Sequence, residues 1–237
     1  MRWFAGAGQL ALLVITDTTA TASPDARAIV RDAMASSPAY VEPGVLVVRL
    51  RPAIDMTDEQ FFHFCRINRD LRIERAADGD LLIMAPAGAR SGARNAEITL
   101  QLVRWAKQDS QGVAFDSSTG FRLPDGAVRA PDAAWVRRSR LDALDDEAKE
   151  RFLPLCPDFV IELRSPSDEL RTLQEKMEEY HANGARLGWL IDPMTRRVHV
   201  YRTDAVASEV VNPAELSAEP VLPGFVLNLT AIWEPSL

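Results

Sequence analysis

The chain has 237 residues, 47% of them hydrophobic, and carries 27 Lys and Arg against 34 Asp and Glu, a net charge of −7. That is enough apolar material for a sizeable core and excludes global disorder, while the acidic balance excludes an unselective nucleic-acid coat protein. The average hides an asymmetry: residues 86–140 hold nine basic and five acidic side chains, whereas residues 203–237 hold five acids and no base, so a polyanion still has a locally basic face to meet.

The elements follow in chain order. The apolar run 10–15 after a lone Arg2 is too short to span a bilayer, and no membrane partner is expected. With the Thr/Ala/Ser-rich stretch behind it, this predicts a loose N-terminal extension over residues 1–40 and a single domain over 41–237. Thr57 followed by Gln60 is a capping-box start for a helix reaching Asn68. Asp78-Gly79 marks a hairpin between strands 71–75 and 80–84. Ile98, Leu102, Val103, Trp105 and Ala106 recur at helical spacing and predict a helix over 92–108, ended by Gly112. Short strands follow at 113–116, 120–123 and 133–136. Ser139 is positioned to cap a short helix through Leu144, and the acids Asp142, Asp145, Asp146, Glu147 and Glu150 read as a solvated face. The apolar segment 159–163 reads as a central strand. Ser167 or Asp168 caps the next helix, which stops at Asn183-Gly184. Strands at 187–191 and 198–201 and weaker ones near 209–211 and 225–227 complete the chain. This order predicts an α/β or α+β fold with a mixed sheet flanked by helices.

Two cysteines, Cys65 and Cys156, and three histidines, His63, His181 and His199, lack metal-ligand spacing, which excludes a structural zinc site. Free thiols suit a reducing compartment, so a cytoplasmic location is expected. The chemistry sits in the acids. Asp132 follows Pro131 at the head of a strand, and Glu162 interrupts another strand thirty positions later. A carboxylate among core residues is costly unless it is paired or binds a cation. Two of them on neighbouring strands suit Mg2+, which takes hard oxygen ligands and keeps several waters. Lys176, on the helix after the Glu162 strand, is the candidate for a positive charge beside such an ion; it equally reads as an exposed lysine paired with Glu175 or Glu179. Glu97 reads as an exposed helix acid, Ser165 as shaping the strand exit, and Asp158 and Asp192 as turn residues. Trp135, Trp189, Tyr180 and Phe121 read as core.

Pro131-Asp132 with Glu162 two residues before Arg164 resembles the PD-(D/E)XK nuclease signature. The ordered set Leu71-Arg72-Ile73-Glu74-Arg75, Thr119-Gly120-Phe121-Arg122-Leu123-Pro124, Ala130-Pro131-Asp132, Pro157-Asp158-Phe159-Val160-Ile161-Glu162-Leu163, Lys176-Met177-Glu178-Glu179-Tyr180, Asn183-Gly184 and Gly188-Trp189-Leu190-Ile191-Asp192-Pro193 resembles the Uma2 family of restriction-endonuclease-like proteins. The resemblance implies a restriction-endonuclease-like mixed sheet, Asp132 and Glu162 as ligands of Mg2+ or Mn2+ with a backbone carbonyl at Leu163, and hydrolysis of phosphodiesters in DNA. It implies that Lys176 takes the place of the signature lysine, where this chain has Arg164, an arginine that cannot act as a base near neutral pH. Glu74 becomes an accessory acid by the same resemblance, or a cross-strand partner for an arginine. The resemblance also adds a further-carboxylate reading for Glu97. A homodimer is expected if both DNA strands are cut. The alternatives are a non-cleaving module that binds nucleic acid or protein, and a structural protein in which Asp132 and Glu162 pair with arginines.

Overall fold

The structure, a computed structural model, describes residues 41–42 and 45–236; the extension expected over 1–40 lies outside these residues. Strands β1 (Val41–Glu42) and β2 (Val45–Val48) lead to helix α1 (Asp58–Ile67). Its capping box forms as expected: Gln60 N–H donates to Thr57 Oγ1 at 3.2 Å, and Thr57 N–H to Gln60 Oε1 at 2.9 Å. Strands β3 (Arg72–Arg75) and β4 (Leu81–Met84) make the hairpin, with Gly79 at φ +95° in its turn.

Helix α2 (Ala89–Asp109) starts three residues earlier than the apolar spacing indicates, because its first two turns are polar. Strands β5 (Gly112–Asp116), β6 (Phe121–Arg122), β7 (Val128–Arg129) and β8 (Ala133–Arg137) follow. The next helix, α3 (Arg138–Asp142), is not capped by Ser139; the chain passes straight from β8 into it, and Gln111 C=O receives the Arg138 N–H at 2.8 Å. The acidic cluster is solvated, and its Asp145 caps helix α4 (Asp146–Lys149).

Strand β9 (Phe159–Leu163) is wholly buried. Helix α5 (Leu170–Ala182) has no side-chain cap from Ser167 or Asp168; the Asp168 carboxylate instead receives the Ser165 N–H at 2.7 Å and ties the strand exit. Gly184 at φ +102° stops α5. Strands β10 (Leu187–Asp192), β11 (Arg197–Arg202), β12 (Ala205–Val211), β13 (Glu215–Ser217) and β14 (Val226–Asn228) and helix α6 (Thr230–Trp233) complete the order.

The strands divide between two six-stranded sheets and a two-stranded ribbon. The first sheet runs β1-β2-β4-β3-β7-β6, the second β12-β11-β10-β9-β8-β5. The expected mixed sheet is the second one, where β9 and β10 are parallel and the other pairs antiparallel. A parallel pair needs a long crossover, and α5 supplies it. The central strands of the second sheet are apolar on both faces. Trp135, Phe159 and Trp189 point toward α2 and α6, meeting Ile98, Leu102 and Ile232. Ala134, Val160 and Leu190 point toward α5, meeting Met177 and Tyr180. Each fully buried side chain of this size contributes roughly 1.5–3 kcal/mol, so packing rather than helix propensity seats α5. Gly188 lets it come close: a Cβ there would lie 2.4 Å from Met177 Cε.

Candidate active site

The link Ala130-Pro131-Asp132 carries the chain from β7 in the first sheet to β8 in the second. Within the second sheet, Ala133 pairs with Ile161, and one further step of that register sets Asp132 opposite Glu162. Side chains alternate along a strand, so both acids share the α5 face with Ala134 and Val160. Asp132 is 6% and Glu162 3% exposed.

Each acid has its own donors. Asp132 accepts the Leu163 N–H at 2.9 Å on Oδ2 and the Asn95 Nδ2 at 3.1 Å on Oδ1; Arg72 Nη1 stands 3.5 Å from Oδ1. Glu162 Oε1 accepts the Tyr180 hydroxyl at 3.0 Å and faces Lys176 Nζ at 2.9 Å. The same ammonium donates to Glu74 Oε1 at 2.9 Å. Glu74 comes from β3 in the first sheet and also receives Arg129 Nη1 at 3.3 Å and the Ala130 N–H at 3.1 Å. Arg129 in turn clasps Glu179 through two nitrogens. Asp132, Glu74, Glu162 and Glu179 thus make four acids against the three bases Arg72, Arg129 and Lys176. An added cation would be favoured by this surplus of negative charge.

Burial pushes the Glu162 carboxyl up; Lys176 opposes this, Asp132 and Glu74 add to it, and it stands at about 7. Burial acts the same way on Glu74, yet Lys176, Arg129 and Arg72 together outweigh it and bring that carboxyl down to about 2. The difference is one of company: Glu74 has three cations around it, Glu162 a single shared one. Burial presses the Lys176 amine down, but Glu162 and Glu74 more than offset it and hold it above its usual range. Lys176 is therefore an ammonium near neutral pH, a source of charge and hydrogen bonds rather than a base.

The donor chemistry fits a hard divalent ion. Two carboxylates share one face, their oxygens are the right ligand type, and Glu162, raised first by burial and then by Asp132 and Glu74, would gain from a cation beside it. Among the described residues no group of three or more His, Cys, Asp or Glu is arranged to hold a metal ion; an ion held by Asp132 and Glu162 would need water or substrate oxygens for the rest of its shell. Asp132, Glu162 and Lys176 line one cavity of about 900 Å3.

Of the residues singled out in the sequence, Asp132, Glu162, Lys176 and Glu74 come together, and Leu163 joins them through its amide. Lys176 is not a surface lysine, and Glu74 is the cross-strand partner of an arginine, Arg129 on β7, while its carboxylate lies in the cluster. Glu97 stays apart, accepting from Gln101 at 2.8 Å. Arg164 is turned to Asp192 at 2.9 Å. Asp192 and Asp158 are buried turn acceptors, Asp158 receiving the Arg137 N–H at 2.9 Å. Trp135, Trp189 and Phe121 are core.

Sequence reasoning missed Tyr180, Asn95, Arg72 and Arg129, and it offered Glu179 as a partner of Lys176 where the structure pairs Glu179 with Arg129 and Lys176 with Glu74 and Glu162. Tyr180 follows Lys176 by four residues, one helical turn, and so shares its face. Asn95 continues the buried stripe Ile98, Leu102, Ala106 by one turn toward the helix start. Arg72 precedes Glu74 by two residues and so lies on its face of β3. Arg129 stands just ahead of Ala130-Pro131-Asp132.

The fold is of the mixed α+β class, with the buried acid pair on one face of its second sheet. A solved structure described as "a putative nuclease belonging to DUF820" from Anabaena variabilis ATCC 29413 shares this fold, with a TM-score of 0.60 at 19% identity over 76% of this chain and 98% of that one. The family described as "Putative restriction endonuclease", Uma2, matches residues 58–230, and the chain belongs to that family. No curated protein matches it. Among the described residues no helix is long and apolar enough to cross a membrane.

Proposed function

We propose that this protein is a divalent-metal-dependent endonuclease that hydrolyses phosphodiester bonds in DNA. The observation that carries the reading is the convergence of Asp132 and Glu162 on one sheet face, with Lys176 Nζ 2.9 Å from Glu162, inside a cavity of about 900 Å3. Mg2+ or Mn2+ held by Asp132, Glu162 and the Leu163 carbonyl supplies Lewis-acid stabilisation of a phosphoryl oxygen and lowers the pKa of a bound water.

The chain's own groups do the rest. Asn95 and the Leu163 amide fix the two Asp132 oxygens, and Tyr180 fixes Glu162. Lys176 places a permanent positive charge where negative charge grows on the phosphoryl group, and its N–H bonds orient the attacking water. Glu74 holds that ammonium in place from the other sheet. Cleavage of both strands with one such site per chain takes two chains, so a homodimer on duplex DNA belongs to the proposal. The unpaired thiols Cys65 and Cys156 suit a reducing cytoplasm.

The test is cleavage of supercoiled, linear and single-stranded DNA with Mg2+ or Mn2+. Asp132→Ala and Glu162→Gln should abolish cutting and the heat of Mn2+ binding while circular dichroism stays native. The reading fails if neither ion supports cutting of any DNA form. Two observations favour a non-cleaving module: Lys176 is already shared by two carboxylates, and Arg164 is turned to Asp192. That reading predicts retained DNA in a gel shift with no Mn2+ heat.

A further inference from the structure

We infer that the first turn of α2 is the seat of a substrate phosphate. The inference rests on the nuclease reading and adds where the backbone of the nucleic acid is held. Gly88, Ala89, Arg90 and Ser91 line the same cavity as Asp132 and Glu162. The helix behind them is 21 residues long, and its N-cap is Gly88, with no side-chain hydrogen bond and no acid in the first turn. The first helical bond is Gly92 N–H to Gly88 C=O at 2.9 Å, which leaves the N–H groups of Ala89, Arg90 and Ser91 outside the helical ladder. Those groups and the positive end of the helix dipole favour an anion.

Two further observations point to a ligand. Ser91 is 8% exposed, yet among the described residues its hydroxyl has no hydrogen-bond partner, although it lines the cavity. Arg90, also on the wall, is exposed and has no acid paired with it among the described residues. An arginine in a first helical turn opposes the dipole and is explained if an anion sits between them. Arg94, one turn on, is held by the carbonyls of Ile232 and Trp233 at 2.7 and 3.4 Å, so among the described residues Arg90 is the cation of this turn without a partner. A phosphodiester supplies only acceptor oxygens. It therefore matches a wall of amide, hydroxyl and guanidinium donors, and Asp132 and Glu162, which would hold the ion, line the same cavity.

The experiment measures binding of a fluorescein-labelled DNA oligonucleotide by anisotropy, in EDTA and in Ca2+, across a salt series. Arg90→Ala should weaken binding roughly tenfold and lower the salt slope by about 0.9. Gly88→Asp is the sharper variant. A Cβ at Gly88 meets nothing within 4 Å, so the new carboxylate can cap the helix, holding or raising the melting temperature, while it occupies the phosphate seat and repels DNA. Inorganic phosphate should compete with DNA for the wild-type protein. Weaker DNA binding by Gly88→Asp at undiminished thermal stability supports the seat. Unchanged affinity and salt slope in both variants overturn it, as does phosphate binding that leaves DNA binding untouched. Wild-type protein that neither binds nor cuts DNA overturns the nuclease reading as well, an outcome distinct from silent α2 variants in a protein that still cuts.

Discussion

Lys176 Nζ stands 2.9 Å from Glu162 Oε1, and both groups are largely withdrawn from water. The contact bridges α5 and β9, and the same ammonium reaches Glu74 on the other sheet, also at 2.9 Å. One lysine thereby ties both sheets and a helix at the point where a cation is proposed to bind. Removing it by Lys176→Met leaves Glu162 buried without a cation, while Glu74 keeps Arg129 and Arg72. Breaking a buried pair from one side costs roughly 3–5 kcal/mol. The loss should appear in urea unfolding at mildly alkaline pH and shrink in mild acid, where Glu162 takes up a proton and no longer needs a partner. An equal loss at both pH values would mean that Lys176 acts through packing alone.

The proton on Glu162 makes the stability of the metal-free protein depend on pH. Its folded pKa of about 7 lies above the ordinary 4.5, so the folded state binds this proton more tightly than the unfolded chain does. The resulting stability is fully present below the ordinary value and is lost as pH rises through about 7. The loss is on the order of 3 kcal/mol. Denaturation curves in EDTA should show this decline, and Glu162→Gln, which mimics the neutral acid, should flatten it. Metal binding must displace the proton, so Mn2+ affinity should climb through the same range and level off above it. A pH-independent affinity would remove Glu162 from the ligand set.

Asp132 and Glu162 were legible because one heads an apolar strand and the other interrupts one, and strand alternation then puts them on one face. Glu74 entered only through family resemblance, since it meets them from a separate sheet. That division could not be read: β6 and β7 are two residues long, too short for alternation to register, and their pairing depends on how distant connections turn. Lys176 was ambiguous because a lysine beside the apolar stripe of α5 can lie along the surface or reach inward; the room left by Gly188 and the two waiting carboxylates decide it. Tyr180 was read as core and is core, but a buried phenol needs a partner, and the acid nearest to it is Glu162. Glu97 drew attention as an acid, whereas the phase of α2 turns Asn95 inward.

Tyr180→Phe tests that hydroxyl. The O–H donates to Glu162 at 3.0 Å, and a hydrogen bond to an ionised carboxylate favours its charged form. Its loss should cost about 1–3 kcal/mol with the ring's packing kept. The Glu162 carboxyl should then hold its proton to higher pH, and the midpoint of the Mn2+ affinity profile should move up with it. Calorimetric titrations of both proteins across pH give the comparison. A tyrosine that only fills space would leave that midpoint unmoved.

Gly188→Ala asks whether the seat of α5 sets the position of Lys176. The added methyl would lie 2.4 Å from Met177 Cε and 3.4 Å from Val160 Cγ2. Met177 is the neighbour of Lys176 in the chain, so a shift that relieves the clash carries the ammonium away from Glu162 unless the methionine end alone bends aside. Overpacking of this kind costs about 1–3 kcal/mol, and a displacement near 1 Å can lower a rate by about a hundredfold. The variant should therefore lose cleavage more steeply than stability. Shortening the methionine in the double variant Gly188→Ala/Met177→Ala makes room for the methyl and should restore part of the rate. A Gly188→Ala protein that cuts at the wild-type rate would mean that Lys176 finds Glu162 without the close approach of helix and sheet.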